Sequence, residues 1–233
     1  MAIESETFIV GYKGEFETEG ASFNDLLNLR FLSLKQNRTL TIKLGGGEDK
    51  SHYHDCYHIR PDEIVAPMIE TPYAMKKYSE MIVEDFKHGI NIETGTAFQN
   101  IVSILEVAKR AKKIDFVTLG RTDMSGSTGM PINSAEMLDV AIKTKALVRK
   151  HGLEFRLGGE VTEKSADFIR QLEPDKFETR NFIAKLNSDI EGTIRKMLEM
   201  EIAILTKISC KESAMTEKKQ QRINTLKKRL SGG

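Results

Sequence analysis

At 233 residues the chain can bury one sizeable core, since single domains run to about 100–200 residues and α/β barrels often to about 250. Acidic and basic residues nearly cancel to a formal charge of +1, which removes the global field that would favour nucleic acid or an anionic membrane. Cys56 and Cys210 lie far apart, the opening MAIESETFIVGYKGE carries acids where a signal peptide carries bases, and no apolar run approaches the ~20 residues of a membrane span, so a cytoplasmic protein without a disulfide framework is expected.

Short β-rich runs alternate with longer runs of helical period, the pattern of parallel strands joined by crossover helices. Strands are predicted at Phe8–Gly14, Thr39–Leu44, Glu63–Pro67, Ile90–Glu93, Phe116–Gly120, Glu154–Gly158 and Lys176–Glu178, with helices such as Phe23–Gln36, Pro72–Val83, Thr96–Lys112 and Asn133–His151 between them. The last of these opens on an Asn133-x-x-Glu136 capping pair and stops at Gly152. Regular repetition without a glycine-rich phosphate fingerprint after the first strand favours a TIM-type (β/α) barrel over an open doubly wound sheet. Seven strands are one short of closure, so either a weak strand is hidden or the strand count is atypical. The expected division is a catalytic barrel over residues 1–182 and a helical extension over 183–233.

In that extension Ile194, Met197, Leu198, Ile202, Leu205 and Ile208 form one apolar stripe, and Ile223, Leu226 and Leu230 a weaker one, which suits subunit contact in a homo-oligomer. Its basic run, Lys218, Lys219, Arg222, Lys227, Lys228 and Arg229, reads as a solvated helix face ahead of an anion-binding one.

Barrel active sites form at the carboxyl ends of strands, and these ends are crowded with charge: Lys13 and Glu15, Lys43, Glu70, Glu93, Asp123, Glu160, Glu178 and Arg180. Several inward carboxylates call for a hard divalent cation, Mg2+ or Mn2+, to offset the cost of burying them. The segment Gly120–Gly129, GRTDMSGSTG, joins a strand end, a carboxylate and a Gly/Ser-rich loop. Its amides would cradle a substrate carboxylate beside a metal on Asp123, with Gly120, Arg121, Thr122 and Ser125 as the candidate substrate contacts, although an ordinary Asx or Ser turn has the same composition. Arg180 is a candidate for a second anionic group of the substrate, or a structural partner of Glu178.

Four stretches in order, Lys13-Gly14-Glu15-Phe16, Ala66-Pro67-Met68-Ile69-Glu70-Thr71, Ile90-Asn91-Ile92-Glu93-Thr94 and Gly120–Gly129, resemble the HpcH/HpaI aldolase/citrate lyase family of the phosphoenolpyruvate/pyruvate barrel superfamily. The resemblance covers roughly residues 8–180 and implies that Glu93 and Asp123 hold the catalytic metal, with the substrate carboxylate on the backbone just before Asp123. Two positions depart from the family pattern. Lys43 stands where the family has an arginine, keeping the charge but losing the bidentate fork, and Phe16 stands where the aldolase branch has a proton-transferring histidine. Glu15, Glu17, Glu48, Glu160 or water on the metal are the candidates for that lost role. Lys43, Glu15 and Arg180 are thus the expected catalytic side chains.

The function implied is a metal-dependent carbon–carbon lyase or aldolase acting on a 2-oxoacid or related acyl ester through an enolate. The competing readings are a hydrolase, phosphoryl-transfer or condensing enzyme on the same barrel, and a non-catalytic binding subunit. The cluster His52, His54, Cys56 and His58 would make a zinc face on a strand, but after the Gly45–Gly47 turn a helix is expected, on which only His54 and His58 face together. His88 and His151 read as surface or element-end residues, and Met68, Met124 and Met130 as packing.

Overall fold

The computed structural model describes residues 7–16, 21–83, 85–207 and 213–231. Eight strands close into a barrel in chain order: β1 (Ile9–Glu15), β2 (Thr39–Lys43), β3 (Glu63–Ala66), β4 (Lys87–Ile92), β5 (Phe116–Gly120), β6 (Glu154–Gly158), β7 (Lys176–Glu178) and β8 (Phe182–Lys185). The first seven are parallel and match the predicted runs, β4 beginning earlier than expected. The eighth pairs antiparallel with both β7 and β1. Thr179 N–H donates to Phe182 O at 2.9 Å and closes the turn between β7 and β8. A hairpin has no crossover helix, and crossover helices are the signal by which parallel strands are counted, so this short strand went unseen. The expected division at residues 182 and 183 falls inside β8.

The helices are α1 (Phe23–Lys35), α2 (Lys50–Ile59), α3 (Pro72–Met81), α4 (Gly95–Gln99), α5 (Ile101–Ala111), α6 (Arg121–Thr128), α7 (Ala135–Lys150), α8 (Ala166–Leu172), α9 (Ile190–Lys207) and α10 (Ser213–Leu230). Several begin on a hydroxyl that satisfies an orphan amide: Ser22 with Asp25 in a capping box, Thr71 on Ala74, Thr94 on Ala97. For α7 the cap is Ser134, which accepts from Met137 N–H at 3.2 Å, and not Asn133. Asn133 instead accepts a hydrogen bond from Arg121.

Reversal of β8 decides where the tail goes. β8 carries the chain back to the amino-terminal end of the parallel strands, and α9, 18 residues and so roughly 27 Å long, runs up the outside of the barrel again. Ile194, Met197 and Leu198 are buried along it and Ile202 and Leu205 half-buried, while α10 buries Ile223 and Leu226 and half-buries Leu230, so much of both stripes is covered within one chain. Ile208, Cys210 and the side chains of Lys218 and Lys219 lie outside the described residues. Among the described residues no helix is long and apolar enough to cross a membrane.

The barrel interior is polar at both ends. At the amino-terminal end Glu63 accepts two hydrogen bonds from Arg156, at 2.6 and 2.8 Å, and a third from Thr41 at 2.6 Å. The Arg156 guanidinium lies over the Phe116 ring at 3.6 Å. The opposite end opens into a cavity.

Candidate active site

Carboxyl ends of the parallel strands surround a cavity of about 240 Å³, the size of a small organic acid. Strand alternation puts residues two apart on the same face, so the interior receives Lys13 with Glu15, Asn91 with Glu93, Thr118 with Gly120, and Glu178 with Arg180. Lys43, Thr122, Asp123, Gly158, Gly159 and Glu160 extend the wall.

Glu93, one residue beyond β4, is 3% exposed. It accepts from Met68 N–H at 2.8 Å and from the Asn91 amide at 3.0 Å. Met68 holds a left-handed φ of +52° to present that amide, a strained conformation for a side-chain-bearing residue. With 49% of its surface exposed, Met68 is an aiming residue and not the packing residue expected. Burial, reinforced by the Asp123 carboxylate, outweighs Lys43 and the Met68 amide and raises the Glu93 pKa. The charge of Lys43 alone does not offset the burial of this carboxylate.

Asp123 sits in the first turn of α6, so the Gly/Ser-rich stretch is a helix and not the loop expected. Its end is set by Gly129, at φ +78°, whose N–H returns to Ser125 O at 2.8 Å. A helix N-terminus presents unpaired amides and a positive dipole end to the cavity. Two glycines keep this corner open. A Cβ at Gly120 would lie 2.8 Å from Glu93, and one at Gly159, where φ is +84°, would lie 2.5 Å from the Arg121 and Thr122 nitrogens. The space a side chain at 159 would fill is therefore the space from which those amides are reached.

Lys43 pairs with Glu15 at 2.8 Å. Burial opposes its charge, but Glu15, Glu93 and Asp123 together hold its pKa above the ordinary lysine value. Glu15 is also deeply buried, yet Lys43, Lys13 and Arg180 outweigh that burial and hold its pKa low. Arg180 Nε lies 3.7 Å from Glu15, at the hairpin turn between β7 and β8, and Lys13 is ion-paired with Glu178. Three strand ends, those of β1, β2 and β7, thus interlock their charges around the cavity floor.

Not every expected site residue is brought here. Arg121 is fully buried below the cavity, donating to Gly158 O at 3.3 Å, Gly159 O at 2.9 Å and Asn133 at 2.8 Å, with its guanidinium over Phe168 at 4.7 Å. It ties α6 to the β6 end and does not line the cavity. Ser125 is one turn further along α6 and does not line the cavity. Of the carboxylates considered for proton transfer, Glu48 pairs with Lys77 at the surface and Glu17 lies outside the described residues, leaving Glu15 and Glu160 on the wall. Phe16 is 7% exposed and stacks on His52, 4.0 Å between ring centres, while His52 Nδ1 lies 2.5 Å from Asp49.

The histidine-rich segment is the helix α2, with His54 and His58 side by side at 5.2 Å and Cys56 turned into the core. His88 is not a surface residue: it is 1% exposed, lies 3.0 Å from the Tyr53 hydroxyl, and burial lowers its pKa to about 4, so it stays neutral. Asn91 and Thr118 went unnoticed in the sequence, although their spacing two before Glu93 and Gly120 is the signal that finds them. Asn91 Oδ1 and Thr118 Oγ1 are buried on the floor without a hydrogen-bond partner among the described residues. Orphaned oxygens of this kind are costly unless a bound group or water meets them.

No protein-family model matches the chain, and no curated protein matches its sequence. Solved structures do match its fold. An HpcH/HpaI aldolase from Desulfitobacterium hafniense superposes with a TM-score of 0.64 at 14% identity, over 76% of this chain and 79% of that one. The chain shares the HpcH/HpaI barrel fold. An HpcH/HpaI aldolase/citrate lyase family protein from Burkholderia cenocepacia gives 0.60 at 10% identity over 73% and 78% of the two chains, and the citrate synthase SbnG gives 0.59 at 13% over 73% and 76%. This is the architecture expected from the four sequence stretches, with the reversed eighth strand added.

Proposed function

We propose that the chain is an enzyme of the HpcH/HpaI aldolase/citrate lyase type, acting on a small 2-oxoacid or related acyl ester at the carbon–carbon bond beside the oxo group. The observation that carries this reading is the conjunction, in one cavity, of the buried Glu93, the Asp123 carboxylate, Lys43 and the N-terminus of α6. Condensation is the same bond made in the opposite direction, and the likeness to the citrate synthase SbnG is compatible with it.

The residues fit a hard divalent cation. Glu93 and Asp123 provide an all-oxygen pair, the raised pKa of Glu93 marks a carboxylate short of positive charge, and one or two protein carboxylates are what Mg2+ uses when substrate and water complete its shell. Among the described residues no third Asp, Glu, His or Cys joins them. Bound there, Mg2+ or Mn2+ would act as a Lewis acid toward the substrate's oxo oxygen.

The protein's own groups divide the remaining work. The α6 amides near Gly159 would receive the substrate carboxylate, while Lys43 adds positive potential where oxyanion charge develops; donors placed this way contribute ~3–4 kcal/mol each. Glu15, held ionised by three cations, fixes Lys43 and is poorly suited to accept a proton. Glu160, also on the wall, is the remaining carboxylate of the group considered for proton transfer.

The test is exchange of the pyruvate methyl protons for deuterium, followed by NMR with and without added Mg2+ or Mn2+. Divalent-dependent exchange is expected, with a loss of at least about 100-fold in Glu93→Gln and in Asp123→Asn. A wild-type protein that binds neither cation sinks the reading.

A further inference from the structure

The tail helix α10 is solvated on one face, and its other face carries part of the basic run inward. Lys227 and Lys228 are exposed, but Arg222 and Arg229, two helical turns apart on one face, point into the cavity, and Leu226 between them is fully buried. With Arg180 they make three guanidiniums on the cavity wall, drawn from the β7–β8 turn and from α10.

Each lies beside a carboxylate. Arg222 donates through Nε and Nη2 to Glu201 Oε1 at 3.0 and 2.8 Å, Arg229 Nη2 donates to Glu160 at 3.1 Å, and Arg180 lies near Glu15. Glu201, on α9, is fully buried, so its pair with Arg222 anchors α10 over the mouth. Arg229 is held less firmly. Among the described residues its side chain makes that one bond, to a carboxylate whose side chain is 44% exposed. Burial, then the charge of Arg222 and further that of Arg180, lowers the Arg229 pKa despite Glu160 and Glu201. Like charges gathered around a cavity are the arrangement that an oxyanion relieves.

We propose that Arg180, Arg222 and Arg229 form a distal oxyanion pocket under α10, which takes a second carboxylate or a phosphate on the part of the substrate remote from Glu93 and Asp123. This rests on the proposed reaction at that metal end, and it makes the substrate at least a dianion, with α10 as the element that reads it. Arg222 is committed to α10 anchoring, so Arg229 is the selective contact.

The experiment measures affinity of the full-length protein, free of divalent metal and at fixed ionic strength, for inorganic phosphate and for tricarballylate, by calorimetry. Neither probe carries an oxo group, so the result stands apart from the exchange assay: failure of exchange with anion binding intact would overturn the reaction and not the pocket. Wild type is expected to bind at least one probe, with phosphate or carboxylate chemistry identified by which binds tighter. Arg229→Gln should weaken that probe at least tenfold, Arg229→Lys less, and the exposed Lys227→Gln on the same helix should leave it unchanged. No binding by wild type, or equal weakening by Lys227→Gln and Arg229→Gln, would overturn the pocket. Among the described residues Arg229 bonds the rim carboxylate Glu160 alone, so Arg229→Gln is expected to keep the wild-type melting temperature, which makes a loss of binding local.

Discussion

Two buried glutamates on adjacent strands of this barrel are pushed in opposite directions by their surroundings. Glu63, at the start of β3, meets a bidentate Arg156 and the Thr41 hydroxyl, and although burial works against its charge, those partners lower its pKa to about 2. Glu93, just past the end of β4, accepts only neutral amides and faces Asp123, and its pKa is raised. The first is electrostatically complete and has nothing left to offer a ligand. The second is incomplete, at the end of the barrel where a cavity opens. Charge compensation, more than the presence of charge, separates a carboxylate that is complete in the fold from one left open to a ligand.

The largest effect that can break this contrast is at the closed end. Arg156→Met leaves Glu63 buried without its partner and should lower stability by ~3–5 kcal/mol. At about 2–4 °C per kcal/mol for a chain of this size, that is a large fall in melting temperature. The double variant Glu63→Gln with Arg156→Met should recover much of the loss, since no lone charge remains. If the double is as unstable as the single, the pair contributes packing over Phe116 instead of charge compensation.

A second, smaller effect sharpens the same point through pH. Glu63 has a folded pKa below its unfolded value of 4.5, so its contribution is complete above that value and is lost as pH falls through about 2. The stability at stake is on the order of 3 kcal/mol. Denaturant titrations between pH 5 and 2 should therefore show a steeper acid loss in the wild type than in the double variant. Parallel curves for the two proteins would count against Glu63 as the carboxylate responsible.

The contrast between the two ends also marks what the sequence could reveal. Strand positions and the placement of Glu93 and Asp123 at strand ends, where one cavity takes in both, were readable because alternation and strand-end placement are local patterns. Glu63 and Arg156 were not, because nothing local says that residues 93 apart in the chain share a bidentate contact. β8 was hidden for want of a crossover helix, and α6 because glycine and serine suggest a loop while the closing glycine only ends a helix. Arg222 and Arg229 were hidden for a third reason. Their destination depends on the reversed strand, which sends α9 up the barrel and lets α10 return across the mouth.

The smallest effect concerns the stability of the open end. Glu93→Gln removes a charge that the protein itself compensates poorly, so in metal-free solution stability should be unchanged or higher by on the order of 1 kcal/mol, opposite in sign to the Arg156 variant. The hydrogen bonds allow this. Met68 N–H keeps an oxygen acceptor, and the Asn91 amide need only turn over so that its Oδ1, unpartnered in the structure, accepts from the introduced side-chain amide. Added Mn2+ then separates the two proteins again, raising the melting temperature of wild type by mass action while leaving Glu93→Gln unmoved. If the glutamine variant is strongly destabilised without metal, Glu93 belongs with Glu63 among the structural carboxylates, and the contrast between the two ends of the barrel disappears.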